Sequence, residues 1–100
     1  MKVTTLDNAE KIPGVNACKM FSSGKAELIH LLIGPGENLP LHINPFDVVF
    51  HVLKGNGMLT IEEESAELKA HDTAEVKAGV KRGWENTGNE ALKLLVIKIF

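Results

Sequence analysis

Cysteine is nearly absent from this chain of 100 residues: Cys18 stands alone, so no disulfide can form within the chain. A single thiol fits a reducing, cytoplasmic setting. Long apolar runs are also missing, because the longest ones, such as LIHLLI and LLVI, are far too short to span a bilayer. The first ten residues are polar and acidic and do not resemble a secretory leader. We therefore expect a cytoplasmic protein with no membrane partner.

The sequence also lacks a charge excess. Its net charge is -2 and it has no basic stripe with interleaved aromatic residues, which excludes nucleic acid as a partner. The glycine-rich stretches GPGEN and KGNG do not open a helix and lack the lysine-serine arrangement of a phosphate-binding loop, which excludes nucleotide binding there. The run Glu62-Glu63-Glu64 is expected at a hairpin end, as a solvated edge rather than an acid/base pair.

No window of the sequence predicts a long helix. Short runs rich in Val, Ile, Leu, Phe and Thr alternate instead with turn signals such as Gly55-Asn56-Gly57. This pattern predicts a single all-β domain over residues 1–100, a sandwich or barrel, with an extended N-terminal segment over residues 1–14. Strands are expected near 15–21, 26–33, 39–43, 48–54, 57–62, 66–70, 73–76, 83–86 and 91–100.

Two of these runs, AELIHLLI (26–33) and ALKLLVIKIF (91–100), are apolar at both strand parities. A strand with one wet face should alternate between apolar and polar residues, so these two strands are expected to be covered on both sides. The chain itself covers only the inside of a small barrel. We therefore predict a homodimer packed sheet to sheet.

Two segments have specific spacing. In the first, Gly36 precedes His42 by five intervening residues, Asn44 lies two beyond His42, Val48 follows after three more, and Gly55 after a further six.

In the second segment, His71 is followed after five residues by Lys77, and Gly79 lies two further on. Arg82 comes after two more residues and Asn86 after another three.

These segments resemble the two signatures of the cupin family, small double-stranded β-helix (jelly-roll) barrels, and the likeness covers roughly residues 26 to 100. Four framework positions agree with the family pattern: Gly36, Gly55, Gly79 and Asn86. The resemblance implies a divalent metal held by three imidazoles and one carboxylate. Of those four positions only His42 agrees; the others hold Asn44, Val48 and Arg82.

This residue set predicts a dismantled metal site. An amide oxygen is a poor ligand for a transition metal, an aliphatic side chain cannot ligate, and a guanidinium is permanently positive. A fixed cation would also repel an incoming metal ion by several kcal/mol in a low-dielectric bore, on the order of Coulomb's law. We therefore predict no metal; the alternative is a transition metal held by His42 together with another histidine, for which His30 is the best candidate if its face is the inner one.

Strand parity defines the expected ligand site. His42 and Asn44 should both point into the barrel, either as a satisfied polar pair or as ligand contacts. Arg82 must find an anion, because a buried unpaired guanidinium is costly. Its partner is either an acid of the chain, Asp47 or Glu85, or a bound carboxylate or phosphate gripped in bidentate fashion.

Two aromatic residues complete the predicted ligand-binding set of His42, Asn44, Phe50, Arg82 and Trp84. Trp84 shares the parity of Arg82 and either packs in the core or stacks on a ligand. Phe50 is expected to help fill the bore, which shrinks any pocket. Outside this set, His51 should face outward, His71 should be exposed at a turn, and Cys18 should be an inert buried thiol.

Three functions remain open from the sequence. The first is a metal-independent module that binds a small molecule in the bore, with a carboxylate or phosphate as the anionic option. The second is an enzyme of isomerase, lyase or oxygenase type, with or without a metal, in which His42 is the only good general base. The third is a structural or interaction protein whose bore is plugged by Phe50 and Trp84.

Overall fold

The computed structural model describes all residues, 1–100, and the chain forms ten strands and no helix. The strands are β1 (Glu10–Ile12), β2 (Ala17–Ser22), β3 (Ala26–Ile33), β4 (Asn38–His42), β5 (Asp47–Lys54), β6 (Asn56–Ile61), β7 (Glu64–Lys69), β8 (Thr73–Val76), β9 (Arg82–Glu85) and β10 (Leu92–Ile99). Every predicted strand is present. The segment 1–14 differs from its prediction, because it contains a turn and the short strand β1, which pairs with β2.

The strands form two antiparallel sheets, as the all-β prediction requires. The larger sheet has the order β1-β2-β3-β10-β5-β8 and the smaller one the order β4-β9-β6-β7. Alternate residues of both sheets point between them and form one hydrophobic core, which includes Leu31, Val48, Leu59 and Leu94. The fold contains no helix of the length and apolar character that a membrane crossing requires.

Turns with left-handed backbone angles connect several of the strands. Gly36, Gly55 and Gly79 have φ between 77° and 85°, which fits their agreement with the framework positions. At Gly55 a side chain is excluded for a second reason, since a Cβ would lie 2.7 Å from the carbonyl oxygen of Ala91. His71, at a position where the resembled pattern has glycine, takes the same conformation with φ 79°.

Asn86, one of the four framework positions that agree with the resembled pattern, connects the end of β9 to its surroundings. Its side-chain nitrogen donates to the carbonyl oxygens of Ile33 and Glu90, both at 2.8 Å, and its side-chain oxygen accepts from the Gly88 nitrogen at 2.9 Å. The side chain is buried, so each of these bonds satisfies a polar group that water does not reach. Asn86 therefore fixes the strand that carries Arg82 and Trp84.

The outer face of the larger sheet carries a cluster of aliphatic residues, among which His30 and His51 flank Leu95. Strands β3, β10 and β5 are neighbours there, and each carries partly exposed aliphatic residues on this face: Leu28, Leu32, Val49, Leu95 and Ile97. The inner face of the same strands holds buried residues such as Leu31 and Leu94. This arrangement explains why β3 and β10 are apolar at both parities.

Candidate functional site

A cavity of about 180 Å³ lies between the two sheets. Its walls are mostly aliphatic, and four polar side chains reach it, which are His42, Asn44, Arg82 and Lys98. Strands β2, β3 and β10 of the larger sheet supply much of the apolar wall, while β4 and β9 of the smaller sheet supply His42 and Arg82. No Asp or Glu lines the cavity, so its charged groups are all cationic.

Arg82 is the most unusual group in this cavity. The residue is only 3% exposed, and its Nε is fully buried without a hydrogen-bond partner. Burial lowers the pKa of the guanidinium from its ordinary value, yet arginine stays charged at any pH that a protein tolerates. Its Cζ lies 5.9 Å from the centre of the Phe50 ring, a cation–π contact.

Neither acid that the sequence offered as a partner reaches Arg82. Asp47 accepts a hydrogen bond from the Ala78 nitrogen at 2.9 Å, and Glu85 is an exposed residue next to the buried Trp84 on β9. The ion pairs of the molecule all join lysines to acids, and none includes Arg82. The expectation of an internal carboxylate partner is therefore wrong. Strand alternation points the Glu85 side chain away from the cavity, and the Asp47 carboxylate is hydrogen-bonded to the β8–β9 connection instead.

Phe50 of β5 and Trp84 of β9 pack against each other, and Trp84 follows Arg82 by two residues. Their ring centres are 5.5 Å apart in an edge-to-face arrangement with an interplanar angle of 77°. Phe50 lines the cavity, whereas Trp84 is 2% exposed, belongs to the hydrophobic core and lies outside the cavity lining. The two rings therefore fill the space between the sheets only in part, and the cavity remains beside them.

His42 and Asn44 are two further polar residues of the cavity lining. His42 is exposed, and its Nδ1 is 3.1 Å from the carbonyl oxygen of Pro40, which leaves Nε2 for other contacts. It pairs with Arg82 across β4 and β9, next to an irregularity in the β4 register. Asn44 is half-buried and lines the same cavity. The structure thus brings His42, Asn44, Phe50 and Arg82 together and leaves out Trp84.

Lys98 also lines the cavity, and sequence reasoning missed it. Its Nζ lies 3.6 Å from Oε1 of Glu27 and 5.6 Å from the centre of the Phe46 ring. Strand parity contains the signal, since Lys98 follows the inward-facing Leu94 and Val96 at intervals of two in β10. A lysine at a strand end is easily taken for a solvent-facing residue, and only the cross-strand pairing with Glu27 shows otherwise.

The residues at the four resembled metal positions do not fit a metal ion. Val48 is fully buried and has no donor atom, and Arg82 places a fixed positive charge in the cavity. No group of three or more His, Cys, Asp or Glu side chains in the molecule is arranged to hold a metal. His30 does not meet the condition set for it, because its neighbours Ile29 and Leu31 face the core and His30 faces outward.

The remaining candidates lie on the outer face of the larger sheet or at its turns. His51 faces outward as predicted, with its Nδ1 2.7 Å from Thr73 Oγ1. His71 is exposed at its turn, as predicted. Cys18 is buried, and Lys11 Nζ donates to its Sγ at 3.5 Å. None of these side chains lines the cavity.

A larger surface groove of about 580 Å³ runs along the β3–β4 connection. The acid that lines it, Glu37, already accepts a hydrogen bond from the Gly34 nitrogen at 2.7 Å. The groove therefore has no charged group without a partner, in contrast to the cavity that holds Arg82.

Comparisons with known proteins identify a matching family and a relative of similar sequence. A family model described as "Cupin domain" matches residues 29–98. An uncharacterized protein of Methanocaldococcus jannaschii is 27% identical over 77 residues, which cover 76% of this chain. The chain spans only 62% of the length of that relative.

Solved structures of low sequence identity share the fold. A predicted oxalate decarboxylase from Thermotoga maritima has a TM-score of 0.87 at 24% identity, covering 99% of both chains. An RmlC-like cupin family protein with a double-stranded β-helix fold, from Methanocaldococcus jannaschii, has a TM-score of 0.82 at 24% identity, covering 99% of this chain and 90% of the other. The cupin domain of Cnp3 from Schizosaccharomyces pombe has a TM-score of 0.85 at 16% identity, covering 95% of this chain and 71% of the other.

Proposed function

The chain belongs to the cupin family, and within that family we propose that it is a metal-independent binding module whose cavity holds a small organic anion against Arg82. The observation that carries the proposal is a guanidinium that is 3% exposed and has no acid of the chain beside it. The cavity next to it contains no carboxylate. An anion that enters the cavity therefore meets a positive charge that nothing else neutralises.

The energetics favour this role over a purely structural one. A buried charge without a partner typically costs a protein about 3–5 kcal/mol. A carboxylate or phosphate can remove that cost, because charge-assisted hydrogen bonds contribute about 1.5–3 kcal/mol and a guanidinium can form two of them in parallel. Arg82 is the only arginine of the chain, so the residue best suited to bidentate anion contacts stands only in the cavity.

The two other functions have less support. An enzyme needs a proton-transfer pair or nucleophile near its ligand. Only His42 and Lys98 of the cavity lining are groups of this kind, and Lys98 pairs with Glu27 at 3.6 Å. A protein with a plugged bore would have no cavity, whereas about 180 Å³ stays free beside Phe50 and Trp84. The donor set argues against a metal, since Val48 and Arg82 occupy two of the positions where a ligand would be needed.

The same proposal includes a homodimer formed through the apolar outer face of the larger sheet and a reducing, cytoplasmic setting. Leu28, Leu32, Leu95 and Ile97 are side by side on this face, and a second copy would remove them from water. Cys18, a single buried thiol, fits the setting.

The test is a comparison of thermal unfolding with and without small anions. Acetate, butyrate, benzoate and phosphate are added as sodium salts, with sodium chloride as the baseline. We expect at least one anion to raise the Tm of the wild type by several degrees, since a ligand that binds only the folded state stabilises it by mass action. Arg82→Met should lose this response, and without ligand it should unfold at the same or a higher Tm, because a buried unpaired charge has been removed.

Lys81→Met is the matched control, because it removes one positive charge from the exposed neighbour of Arg82. It should respond to anions as the wild type does. A wild type that no anion stabilises, or an Arg82→Met variant with the full response, contradicts the proposal.

A further inference from the structure

This inference rests on the proposed function. The charges around the cavity narrow the class of anion that it can bind. We infer that the cavity selects a monocarboxylate with a short aliphatic body, in preference to phosphate, dicarboxylates and hydroxylated anions. Three properties of the cavity lead to this inference: its unbalanced charge, the chemistry of its wall and its size.

The unbalanced charge amounts to one positive unit. Lys98 is a cation of the lining, but it pairs with Glu27 at 3.6 Å, and the Glu27 side chain is only 15% exposed. Glu27 also meets Lys19 at 3.8 Å, which in turn meets Glu10 at 3.6 Å. These two lysines and two glutamates cancel one another. Arg82 alone remains, so a ligand with one negative charge leaves the site neutral, whereas a second charge would have no partner.

The wall of the cavity is mostly apolar and favours hydrocarbon groups. Aliphatic side chains from four strands line the cavity, namely Ile12, Ala17, Ile29, Leu31 and Val96. None of them can donate or accept a hydrogen bond, so a hydroxyl group or a second carboxylate placed against them would lose its water without replacement. A hydrocarbon group gains instead from leaving water there.

The size of the cavity limits the length of the hydrocarbon. Its volume of about 180 Å³ corresponds to about six groups the size of a water molecule or a methylene. A carboxylate takes part of this space next to Arg82, which leaves room for about three to five carbon atoms. Drug-sized ligands need sites of about 300–1,000 Å³ and are too large.

The test is a calorimetric titration of the wild type with acetate, propionate, butyrate, isovalerate and octanoate. Affinity should rise about fourfold with each added methylene, as expected for burial in an apolar site, and should stop rising between four and six carbons. Succinate, inorganic phosphate and lactate should bind at least tenfold more weakly than butyrate. Butyramide, which matches butyrate in shape without its charge, should not bind.

A second variant tests the wall. Ala17→Val adds two methyl groups to the lining and should lower the chain length of best affinity by one or two carbons. A cooperative thermal transition of Ala17→Val without ligand shows that it folds. If Ala17→Val does not fold, the chain-length series on the wild type decides alone.

The outcomes separate this inference from the proposed function. If phosphate, succinate or lactate binds best and Arg82→Met loses that binding, the anion site stands and the monocarboxylate selection is wrong. If affinity does not rise with chain length among the monocarboxylates, the selection is wrong as well. If no anion binds the wild type, or all bind Arg82→Met equally well, the proposed function fails and this inference fails with it.

Discussion

At the scale of single residues, His71 departs from the family pattern at a cost in folding stability. His71 takes a φ of 79°, where the resembled pattern has glycine. A side chain in the left-handed region costs about 1–2 kcal/mol, and histidine tolerates this region better than most residues do. The exposed side chain of His71 makes no hydrogen bond that would offset the strain.

We predict that His71→Gly stabilises the protein by about 0.5–1 kcal/mol. The glycine relieves the left-handed strain, and its larger chain entropy in the unfolded state offsets part of the gain. Denaturant unfolding monitored by the fluorescence of Trp84 measures the change. Gly36→Ala is the matched control: it has φ 77° and open space around a Cβ, so it should lose about 1 kcal/mol through strain alone. A His71→Gly variant that is less stable than the wild type contradicts this account.

At the scale of elements, the strand pair β3–β10 carries an ionisable group on its outer face. His30 lies opposite Leu95 of β10 and Cys18 of β2. Burial lowers the pKa of His30 below its ordinary value of 6.5, and the positive charge of Lys93 lowers it further. The folded state therefore prefers the neutral imidazole more than the unfolded state does.

We predict that stability falls as the pH drops below about 6.5, because protons then bind His30 in the unfolded chain more readily than in the folded one. The contribution is fully present above the unfolded-state pKa. Unfolding by urea at pH 7, 6 and 5 should show this loss in the wild type and a smaller loss in His30→Gln. Asp72, whose pKa is also lowered, first by a hydrogen bond from the Lys69 backbone, affects stability only at more acidic pH, near its ordinary value of 3.8.

Lys93→Met is the control for this prediction, because it removes the nearby charge but keeps the imidazole. Its pH profile should lie between those of the wild type and His30→Gln. Titration of His30 by NMR gives a direct measurement, and a midpoint at or above 6.5 in the folded protein would refute the prediction.

At the scale of the whole molecule, only one face of the larger sheet is covered by the chain itself. Its inner face packs against the smaller sheet and encloses the cavity. Its outer face has no second layer within the chain, although it carries partly exposed leucines, with Leu95 between His30 and His51. Exposed aliphatic residues that cluster on one face of a sheet are typical of an interface.

We predict that the wild type sediments at twice its chain mass of 10.9 kDa at micromolar concentration. Leu95→Lys places a charge at the centre of the outer face and should give a folded monomer, since an unpaired charge in an apolar interface is costly. Met58→Lys is the matched control, because Met58 is also partly exposed, on the outer face of the smaller sheet, and should leave the dimer intact. A wild type that sediments only as a monomer refutes the prediction.

Sequence by itself determined the fold and part of the cavity lining. Strand spacing and the glycines at turns predicted the all-β barrel, because period-2 patterns and left-handed turns are local properties. Parity also brought His42, Asn44, Phe50 and Arg82 to one cavity. The short strand β1 was missed, since three residues carry too little pattern to stand out from an extended segment.

Tertiary structure alone decided what each of these side chains meets. Whether Arg82 has an acid beside it depends on which strand ends come together. The Asp47 carboxylate accepts a hydrogen bond from Ala78 in the β8–β9 connection instead. The inward position of Lys98 and its pairing with Glu27 depend on the register between β3 and β10. Trp84 has the parity of Arg82 but packs into the core, because side-chain direction along a strand does not fix depth. Such long-range pairings are set by the packing of the two sheets, which no local pattern encodes.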